Sequence, residues 1–108
     1  MNIEDNLEKV KLIDTYGNLL TTKQLSIMKD YYFDNLTLAE IGDNYGISRQ
    51  AVNDCITKSL SALHEFEGKL QVCHKSEKLL IELNDLLNLE TDDKVRKKII
   101  DIFEIIRS

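Results

Sequence analysis

Between Ser48 and Lys58 the chain spaces Arg49, Gln50, Asn53, Asp54 and Thr57 so that a helix would bring them onto one outward face. These side chains can read nucleic acid. An arginine fork pairs with the major-groove edge of guanine, and Gln50 or Asn53 can pair with adenine. Arg49 is equally suited to a carboxylate or phosphate on a protein or ribonucleoprotein partner, because its planar guanidinium offers paired donors. Asp54 on the same face would oppose phosphate, and after Arg49 only Lys58 adds positive charge before Lys69. The candidate contact set is therefore Ser48, Arg49, Gln50, Asn53, Asp54, Thr57 and Lys58.

Other chemistry finds little support. Cys55 and Cys73 stand alone, without the C-x-x-C spacing of a zinc site or a redox pair. Cys55 reads as a small buried hydrophobe on an inner helix face. His64 and His74 lack ligand spacing, and on a helix the side chains of Cys73 and His74 would diverge by about 100°. There is no glycine-rich phosphate loop and no Ser/His/Asp or Cys/His order with local context. No catalytic residue, metal, cofactor or small-molecule substrate is expected, and the chain reads as a non-enzyme.

Charge complicates the nucleic-acid reading. Fourteen Lys and Arg against 19 Asp and Glu give a net charge of −5, and no third of the chain is basic. Nucleic-acid binders ordinarily carry a basic face, because neutralising phosphates and releasing their counterions supplies most non-specific affinity. A dimer would double the few contacts available. The first seven residues contain no apolar leader, and no apolar run approaches the ~18 residues of a membrane span. No membrane insertion is expected, and the cytoplasm is the expected location.

The elements that must carry these residues are helical. The chain has no proline and four glycines, and its apolar residues recur at three- and four-residue intervals. A first helix runs from Ile3 to Tyr16 with Leu7, Val10 and Ile13 inward, and Gly17-Asn18 stops it. A second follows Leu20, with Thr21 and Gln24 as a capping box and Ile27, Met28, Tyr31 and Tyr32 as its stripe. Phe33-Asp34-Asn35 breaks it. Thr37 and Glu40 box a third helix carrying Leu38, Ile41 and Tyr45. Gly46 turns the chain, Ile47 pins the turn to the core, and Ser48 caps a fourth helix from Arg49. Val52, Cys55, Ile56, Leu60, Leu63 and Phe66 line its inner face, and the helix runs on to about Cys73. Ala39 or Gly42 supplies the small residue where the two helices cross. Together these parts make a helix-turn-helix over residues 36–60.

Beyond residue 75 leucine and isoleucine become dense. Leu79 to Leu87 mark one more helix, ended by Asn88. Thr91 and Lys94 to Ile106 mark another, with Asp92 and Asp93 at its positive end and Arg107 at its negative end. Lys94, Arg96, Lys97 and Lys98 read as a solvated face. Leu79, Leu83 and Leu86, with Ile99, Phe103 and Ile106, form the candidate dimer face; they could equally cover the helix-turn-helix core within one chain.

The run Thr37-Leu38-Ala39-Glu40-Ile41-Gly42 through Tyr45-Gly46-Ile47-Ser48-Arg49 resembles the promoter-reading region 4 of bacterial sigma factors. Leu20-Thr21, Lys23-Gln24, Tyr31-Tyr32, Ser48-Arg49-Gln50-Ala51-Val52 and Asp54 resemble most closely the YlxM-type helix-turn-helix proteins. Asp30, where an apolar residue is usual, and Cys55, at a more polar position, depart from that pattern. The resemblance implies an all-α, compact helix-turn-helix domain of the sigma region 4 and winged-helix-like DNA-binding superfamily, with a C-terminal helical extension. It also implies an accessory or regulatory role in the signal recognition particle pathway, with the targeting GTPase or its RNA as partner. The residues themselves leave two alternatives open, a DNA-binding transcription regulator and a purely structural dimer module. The expected organisation is a helix-turn-helix domain over residues 1–73 and C-terminal packing or dimerisation helices over 74–108.

Overall fold

Polar caps divide an otherwise continuous helical chain into six α-helices in a computed structural model that describes residues 3–89 and 92–107. They are α1 (Ile3–Tyr16), α2 (Thr22–Tyr32), α3 (Leu38–Tyr45), α4 (Arg49–Leu70), α5 (Val72–Leu89) and α6 (Asp93–Arg107). No strand occurs among the described residues. The chain separates into two units, residues 1–71 and residues 72–108.

Both capping boxes form as the sequence indicates. The Thr21 side chain accepts from the Gln24 amide while the Gln24 side chain accepts from the Thr21 amide, and Thr37 and Glu40 repeat the arrangement. Each box satisfies two amides that a helix start would leave unpaired. After Tyr32 the chain reverses. The amides of Phe33 and Asp34 both donate to the Lys29 carbonyl, and Asn35 takes the left-handed conformation at φ 58°.

Helix α1 ends differently from the expected glycine stop. Gly17 is not left-handed; it opens a single 3-10 turn over Gly17–Leu19 that closes through the Leu20 amide on the Gly17 carbonyl. α2 lies against Gly17: a Cβ there would sit 2.8 Å from Leu25 Cδ1, a side-chain end that would have to shift to admit it.

The first unit is organised around α4, against which α1, α2 and α3 all pack. Leu12, Ile13 and Tyr16 of α1, Ile27 and Met28 of α2, Ile41 of α3, and Val52, Ile56 and Leu63 of α4 are its buried core. The inward face of α1 is rotated from the expected one. Leu12 and Tyr16 turn inward with Ile13, and Leu7 stays 55% exposed. Ser59 is fully buried, one turn on from Ile56 and two from Val52, where its small side chain lets neighbouring helices close on α4. Cys55 is half-buried, as are Leu60 and Phe66. The Tyr16 hydroxyl donates to Glu67 Oε1, and the Tyr16 and Phe66 rings lie 6.0 Å apart. Helix α4 stops at Leu70, short of Cys73, because Gln71 adopts φ 55°.

The second unit is a helical hairpin. α5 starts at once at Val72, well before the leucine-dense stretch that marks it in sequence. The Asp92 carboxylate accepts from the amides of Lys94 (2.9 Å) and Val95 (3.3 Å), capping α6. Arg96 departs from the expected solvated face: it is half-buried, and its Nη1 donates to the Leu87 carbonyl at 2.8 Å. That bond ties the start of α6 to the last turns of α5, so the two helices run antiparallel. Of the six residues assigned to a dimer face, Ile99 is 3% exposed and Leu83, Phe103 and Ile106 are half-buried, so they line the seam of the hairpin. Leu79 and Leu86 remain exposed. The expected Thr91 start lies outside the described residues.

Candidate nucleic-acid interface

The turn between α3 and α4 is set by two glycines with different tasks. Gly46 sits at φ 68° with nothing within 4 Å of an added Cβ, so it is required for its backbone conformation. Gly42 is the small residue at the crossing: a Cβ there would lie 2.7 Å from the Ile47 carbonyl oxygen. The Ile47 amide returns to the Gly42 carbonyl at 3.0 Å, and the Ser48 hydroxyl accepts from the Ala51 amide at 3.0 Å. These contacts fix where α4 begins and the direction in which its first turns project.

A half-buried polar cluster holds α3 against α2. The Tyr45 hydroxyl donates to Asp30 Oδ2 at 3.2 Å. It is also bonded to Ser26 Oγ, and because its single proton serves Asp30, Ser26 donates. This explains the unusual Asp30, a half-buried carboxylate that receives the Tyr45 hydroxyl of the helix-turn-helix motif's first helix.

All seven candidate contact residues are exposed. They differ in what their polar atoms already do. Ser48 is committed to the cap, Gln50 Nε2 donates to Asp54 Oδ1 at 3.2 Å, and the Thr57 hydroxyl donates to the Asn53 carbonyl at 2.9 Å. The Arg49 guanidinium, the Asn53 amide and the Lys58 ammonium make no such bonds among the described residues. Arg49, Gln50 and Asn53 line one wall of an open cleft of about 630 Å³, and Thr37, Leu38 and Ala39 line the other. The cleft thus lies between the starts of α3 and α4, where partial positive charge from two helix dipoles converges. Thr37, Leu38 and Ala39 were absent from the sequence-derived set; the capping box marks where α3 starts but not what faces that start.

The surroundings are acidic. Glu40, Asp43 and Asp54 are all exposed on the two helices of the motif. Neither Cys55 nor Cys73 is disulfide-bonded, and the described residues contain no group of three or more His, Cys, Asp or Glu placed to hold a metal ion. No helix among them is long and apolar enough to cross a membrane.

Comparison with known proteins agrees with this geometry. A family model described as "Putative helix-turn-helix protein, YlxM / p13 like" matches residues 3–104. The chain is 36% identical over 104 residues to the UPF0122 protein YlxM of Bacillus subtilis (strain 168), covering 96% of this chain and 94% of that one. It is 40% identical over 99 residues to a UPF0122 protein of Clostridium perfringens (strain ATCC 13124), covering 85% and 88%. A UPF0122 protein of Malacoplasma penetrans (strain HF-2) is 52% identical over 64 residues, which is 59% of this chain and 60% of that relative. The chain therefore belongs to the UPF0122 family of YlxM/p13-like helix-turn-helix proteins.

Proposed function

We propose that this chain is a non-enzymatic, cytoplasmic nucleic-acid-binding protein that lays the first turns of α4 in a major groove. The observation that carries this reading is the state of Arg49 and Asn53: exposed, uncommitted and side by side on the cleft wall facing the start of α3. Arg49 suits guanine and Asn53 suits adenine, while Lys58 offers a cation for phosphate. Few cations face the ligand, so binding should be weak without a preferred sequence and only modestly salt-dependent. Selection from a random duplex pool at low salt, followed by gel shifts, tests this. Arg49→Ala and Asn53→Ala should each weaken the selected site by roughly 5- to 150-fold, from the ~1–3 kcal/mol that a base-reading pair contributes. No enriched sequence and no binding at low salt would refute the reading.

The exposed Glu40, Asp43 and Asp54 favour a second reading, in which the motif meets a basic protein or ribonucleoprotein. The family resemblance points to the signal recognition particle, its targeting GTPase or its RNA. Co-purification with those components supports it, and a pull-down that lacks all of them rejects it.

A further inference from the structure

One carboxylate sits among the polar side chains that open α4. Asp54 is exposed, one turn after Gln50 and one turn before Lys58. Facing a duplex it repels phosphate, so on charge alone it weakens binding. Its hydrogen bond points to a different task. Gln50 Nε2 donates to Asp54 Oδ1 at 3.2 Å, whereas no bond joins Asp54 to Lys58 among the described residues. The lysine stands at the same four-residue spacing and would be the ordinary partner of an exposed carboxylate on a helix. Asp54 turns back to Gln50 instead, which lines the cleft wall beside Arg49 and Asn53.

This bond settles which end of the Gln50 amide is free. A carboxylate only accepts, so the amide nitrogen faces Asp54 and the carbonyl oxygen points elsewhere. One of the two Nε2 protons is taken by Oδ1. What remains is one N–H donor beside one carbonyl acceptor. Adenine presents the complement in the major groove, an N7 acceptor beside an N6 amino donor. Guanine presents two acceptors and cytosine a donor alone, so neither satisfies both atoms. Without the carboxylate, the amide is free to turn over and must be ordered when it meets a base.

Resting on the reading that α4 enters a major groove, we infer that Asp54 is a positioning residue that holds the Gln50 amide in the orientation that reads adenine. The two roles open to this carboxylate predict opposite signs. As a plain negative charge, its removal strengthens binding to every duplex alike. As a positioning residue, its removal leaves that gain but lowers discrimination at one base pair.

Gel shifts at fixed low salt test this, on the site selected by the wild-type chain and on copies changed at single base pairs. Gln50→Ala identifies the adenine it reads, as the position where discrimination falls most. The wild type should prefer that adenine by roughly 5- to 150-fold. Asp54→Ala should reduce the ratio by about 2- to 10-fold, the effect of ordering one freed side chain. It should bind unselected duplex at least as tightly as the wild type. Asp54→Asn keeps an acceptor in place without the charge and should restore the ratio. In a Gln50→Ala background, Asp54→Ala should change the ratio no further, because the carboxylate acts through Gln50. Alanine has the better helix propensity at this exposed position, and helical circular dichroism checks that each variant is folded. If the wild type selects a site and Asp54→Ala keeps the full ratio, the positioning role is refuted while duplex binding stands. A ratio that stays low in Asp54→Asn refutes it as well. So does an independent loss in the Gln50→Ala background, because the carboxylate then meets a base itself. A wild type that binds no duplex at low salt removes the reading of α4 and the positioning role together.

Discussion

Replacing Gly42 by alanine would put a methyl carbon 2.7 Å from the Ile47 carbonyl oxygen, where unstrained contacts of carbon need about 3.5 Å. The obstacle is backbone, and it cannot swing aside as a side-chain tip would. The Ile47 amide is itself bonded to the Gly42 carbonyl at 3.0 Å, so moving the turn away stretches that bond as well. Overpacking of this kind costs about 1–3 kcal/mol. Against it stands the better helix propensity of alanine, worth about 1 kcal/mol. The net expectation is a loss of up to about 2 kcal/mol, which lowers Tm by roughly 4–8 °C for each kcal/mol in a domain of this size. Gly68→Ala is the matched control. It lies on the same helix system in open space, so propensity acts alone and the variant should gain up to about 1 kcal/mol. Gly46→Ala separates backbone strain from collision: no atom lies near its Cβ, and φ 68° alone should cost about 1 kcal/mol. Urea denaturation followed by circular dichroism, with comparison of midpoints at constant slope, measures all three. If Gly42→Ala is as stable as Gly68→Ala, the close approach of turn and helix is refuted.

Two further outcomes follow from the polar groups of the first unit. Tyr45→Phe removes the hydroxyl shared by Ser26 and Asp30 and should cost about 1–2 kcal/mol; a double-mutant cycle with Ser26→Ala should show coupling, and strict additivity would deny the cluster. Burial first, and the neighbouring Tyr31 second, hold the Tyr32 hydroxyl above its usual value of 10.0. The folded state therefore favours the protonated phenol. Its stabilisation is complete below the unfolded value and is lost as pH rises through the raised one. Tyr32→Phe should flatten the alkaline limb of stability against pH, and an unchanged limb would contradict the assignment.

Much of this protein is legible without coordinates because its governing interactions are local. Thr21 with Gln24, Thr37 with Glu40, and Ser48 with Ala51 act within three residues of chain, and Gly46 acts within its own backbone. The helix starts and the helix-turn-helix are therefore written in short sequence runs, as is the outward set from Arg49 to Lys58. What tertiary structure decided depends on residues far apart. Gly42 is required to be small because of where the Ile47 carbonyl lies. Asp30 has a purpose because Tyr45 reaches it from another helix, and Arg96 leaves the solvent because Leu87 offers a carbonyl. Thr37, Leu38 and Ala39 join Arg49 and Asn53 only when α3 and α4 cross and enclose a shared cleft. Apolar periodicity shows that a helix has an inner face, but it leaves the width and rotation of that face to packing. For that reason Leu7 stays outside, and Ile99, Phe103 and Ile106 close a hairpin seam while Val72, Leu79 and Ile102 remain exposed.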